Sequence, residues 1–316
     1  MVRPYVIAET GLRAPPSSTS PIVVLDSGLG GLTVARALRD ALPYDDLLYF
    51  GDTARLPYGS KSAATVTGFV HQIITYLLPR EPKHVVVACN TATAVALPAI
   101  RAAFPQLSIS GVIDPGARAA VAAAGSKKLP VIGIIATEAT IRSKAYERAI
   151  HRRRHHARLL LRPTPLLVPI IEEGRRDDDP LVVLAVEQYL RPFNQRGVDV
   201  LVLGCTHYPM LKELIQRSVG GAVRVIDSAQ RCAEDVARRL QTAGLLRGKG
   251  DGDGGVGGRS RGTLRCFVTD DPPRFERLAT RFLGFEIDSP TWVSTDQLHA
   301  LVECGVEVES QLRPAV

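Results

Sequence analysis

Six short apolar runs constrain this chain more than any other feature. PIVVLD (21–26), HVVVAC (84–89) and SISGVID (108–114) make one series, and PVIGIIA (130–136), DVLVLGC (199–205) and AVRVID (222–227) make a second. Each is too short to span a bilayer, and the runs are rich in β-branched residues. They alternate with alanine- and leucine-rich segments of helical pattern, among them LTVARALRDAL, TATAVALPAIRAAF, EATIRSKAYERAI and YPMLKELIQRSV. Strands buried on both faces and separated by helices belong to parallel sheets, so the fold class is α/β.

The endings of the runs carry a second message. The first series ends in DSG, CNT and IDP; the second ends in ATE, CTH and IDS. From the cysteine to the aspartate that closes each series is 25 residues (Cys89 to Asp114) and 22 residues (Cys205 to Asp227). A repeat of this size implies two pseudo-symmetric domains, each a mainly parallel sheet flanked by helices, facing one another across a cleft. Residues 1–20, rich in Pro, Ser and Thr near their end, read as a disordered lead-in. Residues 21–115 with 227–316 are expected to form the first domain and residues 116–226 the second. The glycine-rich segment 247–262 reads as a flexible insertion in the first.

Composition narrows the function. A chain of 316 residues with 45% hydrophobic content can bury a large core. Residues 1–20 lack the apolar segment of a secretory signal, and no run of eighteen apolar residues occurs, so a cytoplasmic protein without a membrane partner is expected. Five cysteines with no CxxC pair argue against a disulfide framework and a four-ligand zinc site. The net charge of +7 is densest in HRRRHHAR (151–158), which has no interleaved aromatics for base stacking. It reads as a solvated face. Contact with nucleic acid or a topoisomerase is the minor alternative, and it would give salt-sensitive DNA binding that survives loss of the cysteines.

Cys89 and Cys205 hold equivalent places, each at the carboxyl end of a central strand and before a helix. Parallel sheets present ligand-binding loops there, and a helix N-terminus favours a thiolate. The bland alternative is a pair of buried structural cysteines. Asn90 and Thr91 after one, and Thr206 and His207 after the other, are polar groups suited to a carboxylate or an ammonium and not needed in a core. Cys205 and His207 could also be two metal ligands, or a nucleophile and its base. The first lacks a third ligand and the second leaves Cys89 unexplained. LDSGLGGLTV (25–34) superficially resembles a dinucleotide loop. However, Asp26 would repel a pyrophosphate and Thr33 stands where the last glycine belongs, so the glycines read as a sharp strand-to-helix turn. YFGDTARLPYGSKS (49–62) is turn-rich, and its Tyr58 and Gly59 could lie over a cleft.

Taken in order, VLDSGLGGLTV, YFGDTARLPYG, VVVACNTATA, GVIDPG, ATEATIRSKAY, LLVPIIEEG, LGCTHYP, VIDS and VTDDPPRF resemble the cofactor-independent glutamate racemases of the aspartate/glutamate racemase superfamily. The resemblance implies that Cys89 and Cys205 are the acid/base pair, with Cys89 serving D-glutamate and Cys205 serving L-glutamate. It makes Asp26 and His207 assisting groups and Glu172 a support for His207. Asp26, Ser27, Tyr58, Gly59, Asn90, Thr91, Thr137, Thr206 and His207 would bind substrate. No cofactor, no metal and a homodimer are implied as well, with the product used in peptidoglycan synthesis. Ala136 and Thr164 depart from the family pattern, which usually has glycine and often cysteine at those places.

Overall fold

The computed structural model describes residues 15–248 and 261–301. Its strands are β1 (Ile22–Asp26), β2 (Leu47–Gly51), β3 (His84–Val87), β4 (Ile109–Gly111), β5 (Val131–Ala136), β6 (Arg158–Pro163), β7 (Val200–Gly204), β8 (Arg224–Asp227), β9 (Leu264–Val268) and β10 (Thr291–Trp292). They form one sheet of order β10-β9-β2-β1-β3-β4 and another of order β6-β5-β7-β8. Every adjacent pair is parallel. The α/β class and the two flanked parallel sheets expected from the sequence are both found.

The order β2-β1-β3-β4 repeats as β6-β5-β7-β8, so the likeness of the run endings is a likeness of topology. In each sheet the chain leaves the first strand to one side and returns to the other. The loops after β1 and β3 therefore diverge over a crevice at the carboxyl edge, as do those after β5 and β7. Asp26 ends β1, Cys89 follows β3, Thr137 follows β5 and Cys205 follows β7.

Both faces of the central strands are buried. Ile22 and Val24 enter one core while Val23 and Leu25 enter another. Leu201 and Leu203 of β7 join the first of these cores, and Val200 and Val202 face a third. One apolar core thus continues from the first sheet to the second, with each such side chain contributing about 1.5–3 kcal/mol on burial. Helix Leu32–Ala41 packs on helix Ala229–Thr242, which also meets helix Ile113–Ala123. Helix Ile113–Ala123 spans residues 115 and 116, where the sequence suggested a boundary, and packs on β7 and β8.

Several elements are shorter than their apolar runs. SISGVID yields only β4, because the chain turns at Val112 into a helix that takes Asp114 and Pro115 in its first turn. Both residues suit that position, one by charge and the other by its missing N–H. TATAVALPAIRAAF breaks at Ala96 into Asn90–Val95 and Leu97–Ala103, since Pro98 cannot donate to the carbonyl of Ala94. EATIRSKAYERAI breaks at Lys144, whose φ of 56° is left-handed, into Glu138–Arg142 and Ala145–His151.

Of the expected lead-in, residues 1–14 lie outside the described residues. Within 15–20, Ser17 and Ser20 close a turn, and the Ser18 carbonyl accepts from Lys83 Nζ at 2.5 Å. Most of the glycine-rich insertion, 249–260, and the tail 302–316 also lie outside. The basic HRRRHHAR segment is largely tied down locally: Arg152 and Arg153 pair with Asp114, and Arg154 donates to the carbonyls of Gly125 and Lys127. Among the described residues no helix is long and apolar enough to cross a membrane.

Candidate active site

The carboxyl edges of the two sheets meet at a seam that contains both cysteines, each only 6% exposed. Cys89 caps helix Asn90–Val95. Its Sγ accepts from the Ala92 backbone N–H at 3.5 Å and its thiol donates to Ser27 Oγ at 3.6 Å. A helix N-terminus alone would favour the thiolate, as expected from the sequence. Burial reverses that expectation: together with the nearby Asp26 carboxylate, it outweighs both hydrogen bonds and pushes the Cys89 thiol up to about 12. Cys89 is therefore a thiol at neutral pH when no substrate is bound.

Asp26 is itself buried, and its carboxyl is raised by burial, opposed by His207 and by the backbone N–H groups of Gly31 and Gly28. The Gly28 N–H donates to Asp26 Oδ2 at 3.0 Å, and Thr206 Oγ1 donates to Oδ1 at 3.4 Å.

On the opposite side, Cys205 Sγ lies 3.7 Å from His207 Nδ1, and His207 Nε2 lies 2.7 Å from Glu172 Oε1. Burial opposes a charge on the imidazole. The contacts with Cys205 and Glu172 together outweigh it and hold His207 well above its ordinary value. Glu172, at the end of helix Leu167–Glu172, thus stands directly behind the ring that faces Cys205.

Polar side chains from both lobes close the seam. Thr91 Oγ1 is 2.8 Å from Thr137 Oγ1, which is 3.0 Å from Thr140 Oγ1. Thr33 Oγ1 donates to the Thr206 carbonyl at 3.2 Å. The DSGLGG loop makes the strand-to-helix turn read in the sequence, but not through special backbone angles: Gly28, Gly30 and Gly31 all lack the positive φ that only glycine adopts freely. Clearance is what matters. A Cβ on Gly30 would lie 2.5 Å from Thr206 Oγ1 and 2.7 Å from His207 Cε1, so glycine there lets the first lobe touch the loop after Cys205.

The structure brings Asp26, Ser27, Cys89, Asn90, Thr91, Thr137, Glu172, Cys205, Thr206 and His207 to this one seam. Tyr58 and Gly59 border it differently. The Tyr58 hydroxyl donates to Asp52, which is also held by Arg55. The phenolic proton is therefore committed to Asp52, and Gly59 packs against Thr137. Not singled out from sequence were Thr140 and Tyr146, both inside the quoted ATEATIRSKAY, and Ser228, inside VIDS. Their only signal was membership of a matching segment, since nothing local says which of its polar residues turns inward. Among the described residues no group of three His, Cys, Asp or Glu side chains could hold a metal ion.

Known proteins resemble this chain in sequence and in overall fold. Residues 32–236 match the family model described as Asp/Glu/Hydantoin racemase. A glutamate racemase from Neisseria meningitidis is 44% identical over 274 residues, covering 87% of this chain and 96% of that one. The crystal structure of a glutamate racemase isoform from Bacillus anthracis superimposes with a TM-score of 0.80 at 37% identity, covering 88% of this chain and 98% of that chain. One from Francisella tularensis, in complex with D-glutamate, gives 0.78 at 34% identity, covering 88% and 99%. The chain belongs to the Asp/Glu/hydantoin racemase family, alongside its glutamate racemases.

Proposed function

We propose that this chain interconverts L- and D-glutamate by a two-base mechanism in which Cys205 and Cys89 stand on opposite faces of the α-carbon. The observation that carries the proposal is the pairing of the two cysteines at equivalent strand ends, both buried and both at one seam. Inversion without a cofactor requires a weakly acidic proton to leave one face and another to arrive on the opposite face. One side chain cannot reach both, whereas a thiolate and a thiol across the α-carbon can.

The two thiols have different surroundings. His207, kept cationic by its partners, stabilises a thiolate at Cys205, while burial and Asp26 keep Cys89 protonated. This is the state that acts on L-glutamate. Cys205 takes the α-proton, the electron pair passes to the α-carbon, and the Cys89 thiol delivers its proton to the other face. The enzyme is left with Cys89 as thiolate and Cys205 as thiol, the state that acts on D-glutamate. The return moves one proton from the Cys205 thiol to the Cys89 thiolate: Asp26, with its raised affinity for a proton, takes one from cationic His207 and gives it to Cys89, and the His207 ring regains its proton from Cys205. Polar groups at the seam, Ser27, Asn90, Thr91, Thr137 and Thr206, hold the carboxylates and the ammonium, with the backbone at Tyr58 and Gly59 beside them. No cofactor or metal enters this scheme. The biological role that follows is supply of D-glutamate to peptidoglycan in the cytoplasm, by a homodimer.

The proposal is tested by polarimetry on chelator-treated protein free of pyridoxal phosphate. Optical rotation of L-glutamate is expected to decay to zero, with L-aspartate in parallel turning over about 10- to 200-fold more slowly, the discrimination that one methylene supplies. A constant rotation from folded protein, or faster loss with aspartate, would reject glutamate as the substrate.

A further inference from the structure

Tyr146 has no part in the proton transfers, yet it links the two cysteine loops. It comes from helix Ala145–His151 of the second lobe, beyond the break at Lys144. Its ring lies on Gly204, the residue before Cys205, where a Cβ would be 3.2 Å from Tyr146 Cε2. Its hydroxyl crosses the seam and donates at 2.8 Å to Oδ1 of Asn90, the residue after Cys89. Both side chains are buried, at 1% and 2% exposure.

The direction of that bond decides what Asn90 can do. An asparagine amide can be turned either way, and the choice follows from its hydrogen-bonding neighbours. The phenolic proton is committed to Asn90 Oδ1 at 2.8 Å, and the Ser228 side chain contacts the phenol from its other side. With Oδ1 taken, the Asn90 Nδ2 group is buried and has no hydrogen-bond partner among the described residues. An unpaired buried amide donor is costly unless something accepts from it.

We infer that Tyr146 is a positioning residue that, with Ser228 behind it, fixes the Asn90 side chain so that Nδ2 donates to a carboxylate of the bound substrate. The inference rests on the glutamate racemase reading of the site. It also ties substrate binding to lobe contact, since the acceptor side of Asn90 is satisfied only while the second lobe is in place.

A double-mutant cycle tests it, using Tyr146→Phe, Asn90→Ala and the double variant, with rates followed by α-proton exchange in D₂O. Tyr146→Phe is expected to raise KM for glutamate about 10-fold and to change kcat by less than about 3-fold. In the Asn90→Ala background the same change is expected to alter kcat/KM by less than about 2-fold. Ser228→Ala should act in the same direction, more weakly, and again only while Asn90 is present; it serves if Tyr146→Phe does not fold. A tyrosine needed only for packing would lower Tm and reduce kcat/KM by the same factor whatever stands at position 90. That additive result, in either variant, or a wild-type KM in folded Tyr146→Phe, would overturn the inference. Inactivity of the unmodified protein would instead reject the reading of the site, and the inference with it.

Discussion

Cys89→Ala and Cys205→Ala are each expected to lower kcat/KM at least about 10³-fold, in both directions. Both thiols act in every turnover, one accepting a proton and the other giving one, so neither loss can spare a direction. Equilibrium demands the same, because the enantiomers have equal free energy. The effect is separable from damage to the fold. Cys89 Sγ caps helix Asn90–Val95, so its removal should cost about 1 kcal/mol of stability, whereas among the described residues no backbone N–H donates to Cys205 Sγ. A barrier rise of about 4 kcal/mol with a small change in melting temperature would separate the two causes. Full activity in either folded variant would reject the two-base assignment.

The second large effect is expected at His207. His207→Asn removes the cation facing Cys205 and should reduce kcat/KM about 10²-fold; Glu172→Gln, which keeps the ring, should reduce it about 10-fold. The pH dependence carries the sharper signature. Its partners raise His207, so the cation survives to higher pH than an ordinary histidine and is lost as pH rises through that raised value. Glu172→Gln removes the carboxylate 2.7 Å away, lowers the value, and should bring the alkaline fall of kcat/KM to lower pH. An unchanged alkaline limb in Glu172→Gln would show that the pair does not set the charge at Cys205.

Much of this arrangement could be read from residue order. β1, β3, β5 and β7 coincide closely with apolar runs because they are central and buried, and their hydrophobicity is not interrupted; β8, a partly exposed edge strand, falls within its run as well. The equivalence of Cys89 and Cys205 was visible because each ends such a run. β2 and β9 were harder to see, since LLYFG passes straight into a turn-rich segment and LRCFV follows the glycine-rich insertion. β6 was obscured by the basic residues before it, and its own Arg158 and Arg162 sit on an edge strand. Lys144 gave no warning of its left-handed conformation, yet the break there begins the helix that carries Tyr146.

The protonation states were the least legible feature. A helix N-terminus predicts an acidic thiol at Cys89, but that residue's burial and its distance from Asp26 are set by tertiary packing, and they win. Glu172 lies 35 positions from His207 and meets it only because helix Leu167–Glu172 packs beside the turn at Tyr208–Leu211. Glycine at 30 could be explained from sequence as a turn; its actual constraint, clearance for Thr206 and His207, exists only once the lobes are together.

The most direct test of the two-thiol mechanism follows deuterium at the α-carbon during the first few per cent of conversion in D₂O, starting separately from each enantiomer. Two bases on opposite faces should give product that carries solvent deuterium while recovered substrate retains its protium, in both directions. Product that keeps its original α-proton, or equal deuteration of substrate and product from the outset, would mean that one group serves both faces and would contradict the roles assigned to Cys89 and Cys205.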